Sequence, residues 1–448
     1  MKKQLFSKAI AMMMISAMGM SMVGCGNSSA SSTNTSTETA EEAPAATEEA
    51  TEEATEEASA EGAAAEAPMF QNTEASLVVW GSQDDQQMLN EMVDAFKAEY
   101  PEVAWDITVR VNGEDQAKTE VLKDTEAAAD VFAIAHDQLG ELVQSGAVYK
   151  NTKYADEIKE RSVEAAINAA TYDGELYGYP SSSETYFLFY NKAIFNEDQV
   201  KSLDAMLTAD LPDGVTPFAM DIANAYYSGP FFLSNGCELF GPDGSDAKTV
   251  TFNNEQGLEV AKLLGSLKSK GVVAFDDTVA SAQFEAGTLG AYVAGPWKTE
   301  TYKEVLGDNF GAVELPTLNF NGEEKHMASF AGFKIYCVKS NTKYPLEAMA
   351  LANWLTNEDN QLKRFKDRAA VPVAKALAES PEVTAEESTK ALLAQLNYAY
   401  AMPAIPQMGK FWDATKAFVQ EAFDGTITEA DYQAKLDTLV ATVTEGAE

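Results

Sequence analysis

An α/β protein built as two lobes is predicted by three observations. Short apolar runs alternate with stretches whose apolar positions recur at helical spacing, the pattern of layered α/β folds. The part able to form a core, from about residue 76 onward, is roughly 370 residues long, more than one core ordinarily serves. Polar, turn-forming residues follow the strand-like runs at once, where open α/β sheets gather their ligands.

The first element is Leu77-Val78-Val79-Trp80, a strand running into the turn Gly81-Ser82-Gln83-Asp84-Asp85. Met88, Leu89, Met92, Val93 and Phe96 then recur at helical spacing as far as Pro101. Two further strands, Ile107-Thr108-Val109 and Asp130-Val131-Phe132-Ala133-Ile134, follow with a helical stretch between them, so a mostly parallel sheet is expected here. Its ligand-facing ends would be Gly81 to Asp85 and Ala135 to Asp137.

Beyond that point Tyr177-Gly178-Tyr179-Pro180 leads into a long aromatic strand from Thr185 to Lys192, of the kind that passes between lobes. Residues 191–317 carry their own helices and strands, with Gly287 to Pro296 a glycine-rich strand ending in a turn. Phe330 to Val338 is again strand-like, Pro345 to Phe365 reads as one amphipathic helix, and Lys410 to Thr444 as a closing helical tract.

The N-terminus has a different composition. Met1-Lys2-Lys3 precede an apolar stretch from Ala9 to Val23, too short for an ordinary membrane-spanning helix, which predicts an export signal over residues 1–24. It ends Met22-Val23-Gly24-Cys25, which resembles a lipobox with Cys25 as the lipid attachment point, although Met22 departs from the usual Leu or Val. Residues 25–75 are Ser, Thr, Ala and Glu without lysine or arginine, a composition predicting an acidic, lipid-anchored disordered linker.

The charge and cysteine inventory excludes whole classes. Seventy acids against 32 bases give a formal net charge of -38, and a nucleic-acid partner would need the opposite excess. Two histidines, without close Cys or His spacing, leave no metal site to expect. No phosphate-cradling loop is visible, and no cofactor is expected. Cys237 and Cys337 sit in unrelated apolar segments, either as a pair or as two buried thiols.

Three motifs then stand in order: Ala135-His136-Asp137-Gln138-Leu139-Gly140, Gly295-Pro296-Trp297, and Met402-Pro403-Ala404-Ile405-Pro406-Gln407-Met408 before Phe411-Trp412, with Tyr190-Asn191-Lys192 between the first two. Together they resemble the extracellular solute-binding proteins (family 1) of ABC sugar importers, the maltose and maltodextrin class, over nearly all of residues 76–445. The resemblance implies a periplasmic-binding-protein-like fold: two α/β lobes, a hinge crossed several times, and ligand in the cleft. The first lobe would take residues 76–183 and 332–380, the second residues 184–331 and 381–448. It also implies a monomer tethered outside the cytoplasmic membrane, passing an oligosaccharide to ABC permease subunits, with no catalytic chemistry of its own.

A sugar offers hydroxyls at its edge and nearly apolar C–H faces, so a cleft for it needs carboxylates or amides in the plane and aromatic rings above and below. On the matching motifs, Asp137 looks like the first-lobe carboxylate, with Asp84 and Asp85 or Ser82 beside it, and Glu184 like the hinge carboxylate. Tyr226 or Tyr227, Trp297 and Trp412 would form the stacking platform, and Met402 a flexible apolar contact. Read alone, each has a plainer role: Asp84 and Asp137 as helix caps, Glu184 as a solvated strand residue, Trp297 and Trp412 as core. Ile134 replaces a tryptophan of well-known members, Gln138 an arginine, and Asp85 a basic residue, changes that fit a longer, branched or differently linked glucan as readily as maltose. A glycoside hydrolase, a polyamine-binding protein and a surface adhesin are the competing classes.

Overall fold

The computed structural model describes residues 69–242 and 244–447, so Cys25, the signal and nearly all of the expected linker lie outside the described residues. Residues before 76 already belong to the folded part. The first strand is Glu74–Gly81, and ahead of it Phe70 packs edge-on against Tyr100 and Trp105, with ring centroids 5.3 and 5.2 Å away. The backbone N–H groups of Gln71 and Asn72 donate to Glu347 Oε1 at 3.1 and 3.0 Å. Burying one aromatic ring and pairing the backbone of the two residues after it hold this stretch on the fold.

Two sheets organise the rest. The first has the strand order Val371–Pro372, Tyr179–Glu184, Ser329–Val338, Val131–Ala135, Glu74–Gly81, Ala104–Val111, with Ala399–Ala401 also paired to Ser329–Val338. Glu74–Gly81 runs parallel to both of its neighbours, as expected, but Ser329–Val338 is antiparallel to Val131–Ala135 and to Tyr179–Glu184. The sheet is therefore mixed rather than mostly parallel, because Ser329–Val338 enters from later in the chain and runs against both strands beside it. Val131–Ala135 is central, and its Val131, Phe132, Ala133 and Ile134 are all buried, whereas Glu74–Gly81 alternates, with Leu77 and Val79 turned inward. Met88, Leu89, Met92, Val93 and Phe96 form the buried face of the helix Gln86–Glu99, which stops before Pro101.

The second sheet has the order Phe310–Val313, Phe187–Asn191, Leu289–Ala294, Thr216–Met220, Val273–Ala274. The expected aromatic strand from Thr185 to Lys192 is Phe187–Asn191 of the second sheet, while the segment leading into it forms a strand of its own, Tyr179–Glu184, in the first sheet, and Thr185–Tyr186 make the crossing. There the Thr185 hydroxyl lies 2.7 Å from both Ser329 Oγ and the Phe330 carbonyl, the latter accepting, which ties two crossing strands together. The chain returns through Ser329–Val338. After Pro372 it leaves again, as the helix Glu387–Gln395 packs on Phe310–Val313, and Ala399–Ala401 then pairs with Ser329–Ala331. That last strand carries part of residues 381–448 back to the first sheet.

The expected helix Pro345 to Phe365 is also two, Pro345–Leu355 and Glu358–Arg368, because Asn357 caps a new start with Oδ1 accepting from Asn360 N at 2.9 Å. Likewise the closing tract is Gln407–Asp424 and Tyr432–Val443, broken where Gly425 takes a φ of 69°. Cys237 and Cys337 are both buried and are not bonded to each other. No helix among the described residues is long and apolar enough to cross a membrane.

The helix Glu255–Leu267 shows how tightly the second core is built: a Cβ on Gly257 would overlap the Phe252 carbonyl, while Asn254 Oδ1 accepts from Gly257 N at 2.9 Å. Gly257→Ala is expected to destabilise the protein by about 1–3 kcal/mol, read as a lower thermal midpoint. An unchanged melt would mean that the cap turn relaxes freely.

Candidate functional site

Where the strand ends of both sheets face each other lies a cleft of ≈ 880 Å³, and Asp84, Asp85, Asp137, Glu184, Tyr226, Tyr227, Trp297, Met402 and Trp412 all line it. Its size falls within the roughly 300–1,000 Å³ usual for small-molecule sites. Residues separated by more than three hundred positions converge because each stands at or just beyond a strand end, or on the segment Met402 to Trp412 that closes the circle.

The aspartates do not cap helices. Neither Asp84 and Asp85 in the turn Gln83–Asp85, nor Asp137 in His136–Gln138, makes a side-chain capping hydrogen bond. Asp84 and Asp85 pair instead with Arg368, whose Nη2 is 3.3 Å from Asp84 Oδ2 and whose Nε is 3.0 Å from Asp85 Oδ1. The positive charge that the sequence lacks at position 85 thus comes from the far end of Glu358–Arg368. Asp84 remains half exposed at the rim, and Asp85 is largely covered.

Burial raises the Asp137 carboxyl to about 6, against the opposing pull of Lys118 and the Trp412 indole, and nearby Glu184 adds to the rise. Its Oδ1 is buried without a hydrogen-bond partner, as are Gln138 Oε1, Ser183 Oγ and Tyr226 Oη on the same cleft walls. Next to it, buried His136 accepts from the Phe333 N–H at Nδ1 (3.3 Å) and donates from Nε2 to the Met402 carbonyl (3.2 Å). Burial lowers that imidazole to about 4, so it is a neutral strut holding the first-sheet turn to the Met402 segment.

Glu184 is not solvated. It is 7 % exposed, and burial raises its carboxyl with help from Glu114, while Lys334, 3.6 Å away, works against the rise. Lys334 also lies 3.4 Å from Glu114 and 5.3 Å from the centroid of the Trp297 ring. Burial pulls its ammonium down, but Glu114, Glu184 and Asp85 together outweigh burial and raise it. Sequence reasoning missed Lys334, Glu114, Arg364 and Arg368. A lone lysine between Phe333 and Ile335 was the available signal for the first; the rest depend on pairings across the fold.

The aromatic residues divide. Trp297 and Trp412 are partly exposed to the cleft. Trp297 lies against Gly295, where a Cβ would overlap its six-membered ring, and Trp412 packs edge-on to Phe330 and Phe411 at 5.7 and 4.9 Å. Tyr226 reaches the cleft and packs edge-on to Tyr186 at 4.9 Å, whereas Tyr227 is 5 % exposed and belongs mainly to the core. Ile134 is wholly buried in its strand and adds no stacking surface.

Ten carboxylates and six cationic side chains line the cleft, and four of those cations are already ion-paired: Lys118 to Glu141, Lys298 to Asp277, Lys334 and Arg368 as above. An anion that engaged any of these four would have to break its pair, whereas neutral hydroxyls can bond to the pairs as they stand.

The family profile described as "Bacterial extracellular solute-binding protein" matches residues 91–391. The galactooligosaccharide-binding protein of Bacillus subtilis (strain 168) is 29% identical over 387 residues, covering 82% of this chain and 88% of its own. The maltooligosaccharide ABC transporter solute-binding lipoprotein of Streptococcus pneumoniae (strain ATCC BAA-255 / R6) is 26% identical over 310 residues, covering 66% and 72%. Among solved structures, the maltodextrin binding protein MalE1 from L. casei BL23 superposes with a TM-score of 0.72 at 30% identity, covering 84% of this chain and 100% of that one. With two facing sheets, repeated crossings and a profile spanning most of both, the chain belongs to the bacterial extracellular solute-binding protein family.

Proposed function

We propose that the chain is the substrate-binding lipoprotein of an ABC importer, capturing a neutral oligosaccharide of the maltodextrin class and delivering it to a membrane permease. The observation that carries this is the set of buried polar atoms without partners, Asp137 Oδ1, Gln138 Oε1, Ser183 Oγ and Tyr226 Oη, on the walls that also present Trp297 and Trp412. Acceptors and hydroxyls left unpaired on walls that also carry indoles are what a ring bearing hydroxyls on its edge and C–H groups on its faces satisfies.

Binding acts without chemistry. A ligand that touches both walls favours the closed arrangement by its differential affinity, and the closed protein docks on the permease, whose partner supplies the energy of ATP hydrolysis. Cys25 would hold the domain at the outer face of the cytoplasmic membrane, with residues 26–68 as tether. The relative that binds galactooligosaccharide, matched over 82% of this chain, favours a second reading in which the linkage is that of a galactoside.

Tryptophan fluorescence titrated with maltose, maltotriose, a cyclic dextrin, a galactooligosaccharide and spermidine separates these readings. The expected result is a saturable change with a glucan. A change with spermidine alone would overturn the proposal, and so would chromatographic evidence that the purified protein cleaves maltotetraose.

A further inference from the structure

Lys334 occupies the place where a cationic ligand would otherwise be held. Its Nζ sits 3.4 Å from Glu114 Oε1, 3.6 Å from Glu184 Oε2 and 5.3 Å from the Trp297 ring centroid. Carboxylates together with an aromatic face are the groups that recognise organic ammonium ions. Here the three come from separate elements: Glu114 opens the helix Glu114–Lys123, Glu184 ends a first-sheet strand, and Trp297 lies in the turn after Leu289–Ala294 of the second sheet.

The lysine itself is set by a break in the sheet. Pairing shifts between Lys334 and Ile335, opposite Ser182 and Pro180, so Ser181 is the extra residue and its Oγ donates to the Lys334 carbonyl at 3.0 Å. Such irregularities re-aim side chains, and Pro180 has no N–H with which to continue the ladder. The lysine side chain is 25% exposed, and it lines the cleft with the three groups that surround it.

We propose that Lys334 is a specificity-determining residue: a tethered ammonium that fills the cleft's own cation cage, so that an acid-rich site rejects polyamines and amino sugars and admits neutral sugars. The proposal rests on the cleft being the ligand site, but not on which sugar fills it. Without the lysine, Glu114 and Glu184 would face the indole uncompensated and draw in a free amine. With it, an arriving ammonium meets a like charge, while a sugar hydroxyl can accept a hydrogen bond from Nζ and donate one to a carboxylate.

Lys334→Ala opens the cage and tests this by calorimetry and thermal melting with butylammonium and spermidine. Wild-type protein should show neither heat nor a melting shift with either amine. The variant should bind them at least about tenfold more tightly than the wild type, and should melt higher in their presence. Butylammonium should also restore part of the oligosaccharide affinity that the variant loses. Lys334→Ser, with the same opening and a polar end, is run beside it in case the alanine variant folds poorly. A folded variant indifferent to both amines overturns the proposal. So does amine binding by the wild type that Trp297→Ala removes, a result that needs no Lys334 variant. If the wild type ignores every sugar while the variants gain amine binding, the sugar reading fails and the role of Lys334 stands.

Discussion

Trp297→Ala is expected to cut the fluorescence response to a bound glucan to what Trp412 contributes and to weaken binding by about 30- to 700-fold, the roughly 2–4 kcal/mol of a central aromatic contact. Of the five tryptophans, only Trp297 and Trp412 line the cleft. Trp105 and Trp354 are engaged elsewhere, their indole N–H groups donating to the Tyr100 and Met92 carbonyls at 2.7 and 2.9 Å. A ligand-induced signal therefore reports on two indoles, and the variants separate them. Trp412 also packs on Phe330 and Phe411, so Trp412→Ala should lower the melting temperature as well as the affinity. Trp297 leans on Gly295 and the Lys334 ammonium and touches the second core only at its edge, without a close ring partner, so its removal should lower the melt less than that of Trp412. Wild-type glucan affinity in Trp297→Ala would remove the second sheet's stacking surface from the site.

The strand-to-turn junctions were legible because each pairs a short apolar run with polar residues directly after it. Gly81 to Asp85, Ala135 to Asp137 and Gly295 to Trp297 follow that pattern, and the fold places all three at one cleft. What periodicity could not give was the sense of the strands. Ser329–Val338 reads like any buried strand, and only pairing across about 150 to 200 residues makes it antiparallel to Tyr179–Glu184 and Val131–Ala135. The same limit hid the ion pairs. Asp85 was legible as an acid where a base was expected, yet its guanidinium partner stands 283 positions away. Tyr226 and Tyr227 could not be told apart because adjacent residues in the short helix Ala225–Ser228 point to different surroundings, one to the cleft and one to the core. Boundaries erred for local reasons: a cap at Asn357 and a left-handed turn at Gly425 each split a helix, and buried Phe70 shortened the linker.

Asp137→Asn is expected to stabilise the protein at neutral pH while weakening sugar binding, a combination that a purely structural aspartate would not give. An aspartate in the unfolded chain titrates near 3.8, and burial raises Asp137 to about 6. Between those values the folded protein keeps a proton that the unfolded chain has lost. Stability from this group is therefore greatest below the ordinary value and is lost as pH rises through about 6. At pH 7.5 the ionised carboxylate costs on the order of 1–3 kcal/mol after allowance for its partial exposure. Asparagine removes that cost, so the variant should melt a few degrees above the wild type at pH 7.5, with the difference shrinking toward pH 5. Binding runs the other way. The unpartnered Oδ1 is a strong acceptor only when ionised, and losing it should weaken glucan affinity by about 10- to 100-fold. Wild-type affinity should accordingly fall as pH drops through about 6, while the variant's stays flat. Calorimetry and melting curves across pH 5 to 8 read both effects. A variant that melts lower at pH 7.5, or a wild type whose affinity ignores pH, would show that this carboxylate serves the fold rather than the ligand.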